Sequence, residues 1–422
     1  MDAQLSFSKF DPVKAEAFSG SLLATLNAGG LAFRFLSQDA VAIATNLAQD
    51  LSQTVQERDA IAGIPDQEAQ CLRASGLLPL MVPKAYGGLG GSWLEAINII
   101  KILAKADSSS AQLYGYHLLL SVVPHLIGTA EQAARYYGET AQHHLLWANA
   151  INTRDVRLTL ESDGNGFRAS GIKTFCTGAV VADRILCAAT QVGNPLPAMF
   201  VISSDRTGLT YNHDWDVLGQ RRTASGSFTF EAVRVEPAEI LGPPPNLESA
   251  FPTGLGVGGI LVQTAIFLGI AEGALATAQQ YTQTQARPWE TATVQEAADD
   301  PYSLRRYGEL WAQLQGAIAL TQQATIQFQQ AWSKGQALTH EERGAVAIAA
   351  AAAKTLSIQM GLAITNQMFD LMGARSVANQ NGYDRYWRNL RTLTLHDPVD
   401  YKLFDIGNWL VNGTAPVPSS YA

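Results

Sequence analysis

The sequence predicts an α+β fold in three parts: an N-terminal α domain, a middle antiparallel β domain and a C-terminal four-helix bundle. Three observations carry this. Apolar residues recur at helical spacing from about Ala40 to Ile127. Short, partly alternating segments separated by Gly, Asp, Asn and Pro fill the stretch from Trp147 to Val235, and long helical runs follow Gly254. A chain of 422 residues is too long for one ordinary core, so more than one domain is expected. The divisions fall at 1–38 (an N-terminal extension), 39–146 (α domain), 147–245 (β domain) and 246–422 (helical bundle).

Composition narrows the function classes. With 47% apolar and 16% charged residues, the chain is a globular protein with a large core. A net charge of -8 without a basic run argues against nucleic acid or an anionic membrane surface as a partner and favours small molecules. Cys71, Cys176 and Cys187 are too few and too scattered for a disulfide framework or a zinc site, so no metal is expected and a reducing cytoplasm fits best. Met1 to Asp39 lacks the basic and then apolar pattern of a secretory signal. The apolar run Ala345 to Ile364 is interrupted by Lys354, Ser357 and Gln359, which suits a buried bundle helix rather than a membrane span.

In chain order, Pro65 and Asp66 open a short helix that Gly76 closes. Tyr86 to Gly91 is a Gly-rich turn, Trp93 to Ala106 is helical, and a further helix is expected from about Ser110 to Ile127. Strands are expected at Val156 to Leu160, Gly166 to Gly171, Arg184 to Ala189, Ala198 to Ile202, Leu209 to Asn212 and Ser227 to Val235, with a hairpin at Asp163-Gly164. Pro237 and Gly242 to Pro245 form a linker. Helices follow at Ile260 to Thr284, around Leu304 to Ile318, and from a capping box at Thr339 and Glu342 to Leu371 before Gly373. A last one starts near Asp384 and breaks at Asp397-Pro398, where Asp397 is expected to cap a new helix.

The stretch that organises the rest is Asp214 to Ser227. It places Trp215, Gly219, Arg221, Arg222 and small hydroxyl residues before the strand at Phe228. Short donors and a flat apolar wall suit a flavin, packed on one face and hydrogen-bonded along its polar edge; a solvated loop between strands fits the same residues equally well. Gly254, Gly256 and Gly259 satisfy G-x-G-x-x-G, but Pro252 lies before them and no βαβ unit surrounds them, so a dinucleotide fold is rejected. His117 sits on an apolar helix and His396 at the helix break; alone, each reads as a packing or capping histidine. Arg287 ends a helix, where it can pair with a phosphate or cap the C-terminus.

Taken together, the order of domains and the motifs resemble the acyl-CoA dehydrogenase superfamily from about Ala40 onward, and within it the flavin-dependent monooxygenases related to dibenzothiophene monooxygenase and sulfur acquisition. The motifs are Gly115-Tyr116-His117, Phe175 to Gly178, Asp214-Trp215, Gly219-Gln220-Arg221, Ser225-Gly226-Ser227, Ala286 to Trp289, Asp300-Pro301-Tyr302, Asp384 to Asn389 and Leu395 to Pro398. The resemblance implies a homotetramer that receives reduced flavin from a separate reductase and oxygenates a small apolar organosulfur or aromatic compound with dioxygen, through a flavin C4a-hydroperoxide. By the same likeness Asn149, Thr177, Trp215, Ser225, Arg287 and Arg375 would contact the flavin, and His117, Tyr116, Ser225 and His396 would line the oxygen-activating pocket. The expected cofactor is FMN; FAD serves the wider superfamily. The dehydrogenase branch needs a carboxylate base, commonly a Glu where this chain has Thr392 to Asp397 and no Glu, so an acyl-CoA dehydrogenase-like flavoprotein oxidising an acyl thioester is the second reading and a non-catalytic flavin binder the third. Relatives carry His where this chain has Leu393, and Ser-Glu where it has Ile151 to Thr153, which makes the pocket more apolar.

Overall fold

The computed structural model describes residues 38–191, 193, 197–243, 248–419 and 421; the N-terminal extension expected over 1–38 lies almost wholly outside them. The first third is helical: α1 (Gln38–Ser52), α2 (Val55–Ile61), α3 (Asp66–Ala74), α4 (Trp93–Ala106), α5 (Ser108–Ser121), α6 (Val123–Ile127) and α7 (Ala130–His143). Local signals set the starts. The Ser92 side chain caps α4 by accepting from Glu95 N, and Asp107 caps α5 by accepting from Ser109 N and Ser110 N. The single helix expected up to Ile127 is broken at Val122, because Pro124 has no N–H to continue the ladder and sits in the first turn of α6 instead.

Among the described residues seven strands follow: β1 (Trp147–Ala150), β2 (Thr159–Asp163), β3 (Gly166–Lys173), β4 (Arg184–Gln191), β5 (Ala198–Ser203), β6 (Leu209–Tyr211) and β7 (Phe228–Val235). The Asp163-Gly164 hairpin is present, with Asp163 opposite Gly166 and Gly164 at φ +62°. Pairing is antiparallel for β2–β3, β3–β7, β4–β5 and β6–β7. Two joints are parallel, β1–β4 and β2–β4, a departure from the all-antiparallel expectation. They arise because β4 pairs with β1 and β5 along its first residues and with β2 only at Thr190 and Gln191, so one strand bridges two halves of a curled sheet.

The last part contains α8 (Gly254–Thr284), α9 (Pro301–Lys334), α10 (His340–Met372), α11 (Asp384–Leu393) and α12 (Val399–Asn412). The Thr339/Glu342 capping box starts α10, and Gly373 ends it. The three glycines of the G-x-G-x-x-G pattern lie inside the first turns of α8, not in a phosphate loop. At Gly269 and Gly273, an added Cβ would meet Lys101 O at 2.5 Å and Lys105 O at 2.4 Å, so these glycines let α8 cross α4 almost backbone to backbone. One apolar core therefore runs from Trp93 and Ile100 through Ile266 and Phe267 to Ile364. Helices α8 and α10 are long and apolar enough to span a membrane, yet 89% and 61% of their most apolar windows are buried within this fold.

Candidate functional site

The 214–227 loop is docked from both sides. At Gly219 an added Cβ would meet Arg388 O at 2.1 Å, so only glycine lets the loop lie on α11. There Asn389 Oδ1 accepts from Gln220 N (2.7 Å) and Arg388 Nη1 donates to Leu218 O (2.9 Å). The Asp384 to Asn389 motif thus holds the loop. On the other side Arg222 donates through Nε and Nη2 to the two oxygens of Glu68, each at 2.8 Å, and through Nη1 to Ala62 O at 2.6 Å. Arg222 is consumed by this docking and is not available to a ligand phosphate.

Where the loop meets Thr177, three hydroxyls form a chain whose direction follows from proton counting. Thr223 Oγ1 donates to Gln220 O (2.9 Å), so the 2.8 Å contact between Thr223 and Ser225 has Ser225 as donor, and the 2.8 Å contact between Ser225 and Thr177 has Thr177 as donor. All three are buried. Beside them Asn149, on β1, donates to Phe175 O (3.0 Å), while its own carbonyl oxygen is buried without a hydrogen-bond partner among the described residues. Phe175 is 60% exposed and packs edge to face with Trp215 at a 6.2 Å centroid separation. Phe175, Gln220 and Ala224 hold positive φ (57°, 56° and 43°) without being glycine, and such strain gathers at functional sites.

A buried unpartnered acceptor, acceptor lone pairs at Thr177 and an exposed aromatic wall fit a flavin ring: its N–H groups suit the acceptors and its apolar faces suit Phe175 and Trp215. Replacing Ser225 with Ala interrupts the hydroxyl chain. FMN affinity, titrated by fluorescence quenching, is expected to fall roughly fivefold to tenfold, the equivalent of one lost hydrogen bond.

His117, expected to line the oxygen pocket, is placed elsewhere. Its Nε2 donates to Leu78 O (2.7 Å) and its Nδ1 accepts from Trp147 N (3.0 Å) at 0% exposure. Burial pushes its pKa down to about 4, with the Leu78 hydrogen bond opposing. Both nitrogens are occupied, so this imidazole anchors the start of β1 and can offer nothing to oxygen.

Tyr116 and His396 are joined through Gln263 and Lys354, which carry no motif in the sequence, and through Asp397 of the Leu395 to Pro398 motif. Gln263 Nε2 on α8 reaches Tyr116 Oη at 3.4 Å, and Lys354 Nζ on α10 donates to Gln263 Oε1 at 2.8 Å and to Asp397 Oδ1; that same oxygen lies 3.1 Å from His396 Nδ1. Lys354 has 1% and Asp397 8% of its side chain exposed. Asp397 is therefore not the expected helix cap: α12 starts at Val399 with Pro398 in the N-cap position and no side-chain cap, because the Asp397 carboxylate faces the buried lysine instead. Burial raises the Asp397 carboxyl, but the contacts to His396 and Lys354 outweigh it and hold it well below the ordinary range. Burial also pushes Tyr116 up to about 12, so the phenol keeps its proton at neutral pH. The one signal in the sequence is a lone Lys354 in an Ala-rich helix and a lone Gln263 in another apolar run.

The remaining expected contacts lie apart. Arg375 Nη2 donates to Gln285 O (2.7 Å), which brings Arg375 to the end of α8 that also carries exposed Arg287. Among the described residues no hydrogen bond, ion pair or ring contact joins these arginines to Asn149, Thr177 or Ser225 in one chain. Leu393 is buried in the main core.

Residues 40–144 match the acyl-CoA dehydrogenase N-terminal domain and residues 261–401 the acyl-CoA dehydrogenase C-terminal domain. The probable FMNH2-dependent monooxygenase SfnC of Pseudomonas putida is 40% identical over 91% of this chain and 97% of its own length. Dibenzothiophene monooxygenase of Rhodococcus erythropolis is 41% identical over 90% of this chain and 95% of its own. The FMN-bound structure of TdsC from Paenibacillus sp. A11-2 superposes with a TM-score of 0.87 at 38% identity, covering 91% of this chain and all of that one (100%).

Proposed function

The chain belongs to the acyl-CoA dehydrogenase family, in its branch of FMN-dependent monooxygenases, and from that premise we propose that it oxygenates a small apolar organosulfur compound with reduced FMN and dioxygen. Reduced flavin, when bound, supplies the electrons that let one oxygen atom of dioxygen be transferred. The observation that carries the reading is the buried, unpartnered carbonyl oxygen of Asn149 beside the Thr177–Ser225–Thr223 chain. These groups bind and orient the ring, and the Trp215–Phe175 pair shields it from water. Tyr116 and His396 hold the protons at the oxygen-reacting side, Tyr116 as a permanent donor. Arg287 and Arg375 would meet the phosphate end of a flavin bound by a neighbouring copy in a homotetramer. The flavin arrives reduced from a separate reductase in the cytoplasm.

An acyl-CoA dehydrogenase reading is weaker. At the corner where that chemistry places its base, the carboxylate is Asp397, already engaged by Lys354 and His396.

The test is turnover of dibenzothiophene or a dialkyl sulfide with reduced FMN under ¹⁸O₂, with mass spectrometry of the product. One ¹⁸O per sulfoxide is expected. Unlabelled product, or bleaching of the oxidised flavin by an acyl-CoA in its place, would overturn the reading. His396→Ala is expected to lower sulfoxide formation about a hundredfold, with FMN affinity within about threefold of the unaltered protein because His396 touches none of the ring-binding groups.

A further inference from the structure

Lys354, the buried partner of Asp397, lies on α10 with Ala347, Ala350, Ala351 and Ala353, all of them buried. An apolar pair would be as stable or more so there, since removing two charges from water costs about what their attraction returns. Stability alone does not explain the pair. Its geometry does something an apolar pair cannot. An ionised carboxylate only accepts hydrogen bonds, so the imidazole nitrogen 3.1 Å from Asp397 Oδ1 must carry its hydrogen. That oxygen is in turn held by Lys354 Nζ, and the ammonium is held by Gln263 Oε1 at 2.8 Å. Lys402 Nζ lies 3.8 Å from the second carboxylate oxygen, and the Tyr421 ring packs against the imidazole at 5.5 Å, so the carboxylate and the ring are each restrained from a second side. Nε2 of His396 has no hydrogen-bond partner among the described residues.

We propose that Lys354 and Asp397 are positioning residues that hold His396 as its Nδ1–H tautomer, so that Nε2 is the atom offered to the reacting oxygen or its proton. The role of Nε2 rests on the monooxygenase reading; the tautomer does not. Free imidazole side chains favour hydrogen on Nε2, so the carboxylate reverses the intrinsic preference, as second partners of functional histidines do.

The experiment uses the full-length protein carrying ¹⁵N-labelled histidine, with the His396 signals identified by their loss in His396→Gln. In the unaltered protein Nδ1 is expected to show the shift of a protonated nitrogen and Nε2 that of an unprotonated one. Asp397→Leu alone would strand the Lys354 ammonium and could unfold the chain, so the informative variant combines Lys354→Met with Asp397→Leu. That variant is expected to fold, to shift His396 to the Nε2–H form, and to lose about 10–100-fold in kcat/KM for sulfide oxygenation. On a His396→Ala background, the same pair of changes is expected to cost no more than about twofold. A His396 that already carries its hydrogen on Nε2 in the unaltered protein, or equal losses on both backgrounds, would overturn the proposal. If no sulfide is oxygenated at all, the functional reading fails while the nitrogen shifts still decide the tautomer.

Discussion

Glu68→Gln is expected to destabilise the protein by about 3–5 kcal/mol, the cost of leaving buried cations without their carboxylate. Glu68 is 0% exposed and accepts from Arg58 Nη1 at 2.6 Å as well as from both arms of Arg222. Arg58 also binds Asp107 at 2.6 Å, the residue that caps α5, and donates to Leu51 O at 2.7 Å. Glu68 thus ties α2, α3 and the 214–227 loop together, and Arg58 extends the network through Asp107 to the start of α5. The glutamine oxygen can still accept, but its NH2 group faces guanidinium groups that only donate, and a neutral amide offsets none of their charge. Urea unfolding should show the loss, and the residual folded variant should bind FMN more weakly because Arg222 no longer seats the loop. Arg305→Ala breaks an exposed pair with Glu309, whose partners are 75% and 52% exposed, and should not move the midpoint measurably. A Glu68→Gln midpoint as little changed as that control would show that the network carries no stability.

The second large effect is a loss of stability in mild acid that belongs to His117. Its folded pKa is about 4, against an ordinary value of 6.5, because burial disfavours the imidazolium. Protonating Nδ1 would also forfeit the bond from Trp147 N. The unfolded chain therefore binds the proton more readily than the folded one. The sign follows: the contribution is fully present above pH 6.5, falls as the pH drops below it, and is gone near pH 4, a total of about 3 kcal/mol. His117→Phe fills the space without titrating. Comparing urea midpoints of the two proteins, the advantage of the unaltered one should shrink by about 3 kcal/mol between pH 7 and pH 4. An advantage independent of pH would mean that His117 has the same pKa folded and unfolded, as an imidazole exposed to water would. His125, also lowered by burial, is common to both proteins and cancels in the comparison.

Features that depend on neighbours in the chain are legible in the order of residues alone. The bounds of Trp93–Ala106, the Asp163-Gly164 hairpin and the Thr339/Glu342 capping box follow from spacing of a few residues, and all are present in the fold. So does the rejection of the glycine pattern, whose glycines open α8. The resemblance draws together Asn149, Thr177, Ser225 and Trp215, and these residues stand on adjoining loops and a strand.

The partner that each polar side chain finds is not legible in this way. Arg222, in the stretch around which the chain is organised, meets Glu68 across 154 residues, and Lys354 meets Gln263 across 91 and Asp397 across 43. Asp397-Pro398 has the local pattern of a helix cap, yet a buried ammonium attracts the carboxylate more strongly than exposed helix N–H groups can. His117 stands one residue from Tyr116, and only packing decides that its nitrogens meet Leu78 and Trp147 rather than a pocket. Periodicity, caps and turns are short-range and are set by the order of residues. Tautomers, ion-pair partners and the direction of the hydroxyl chain are decided when distant elements pack, because burial makes an unpaired polar atom too costly to leave alone.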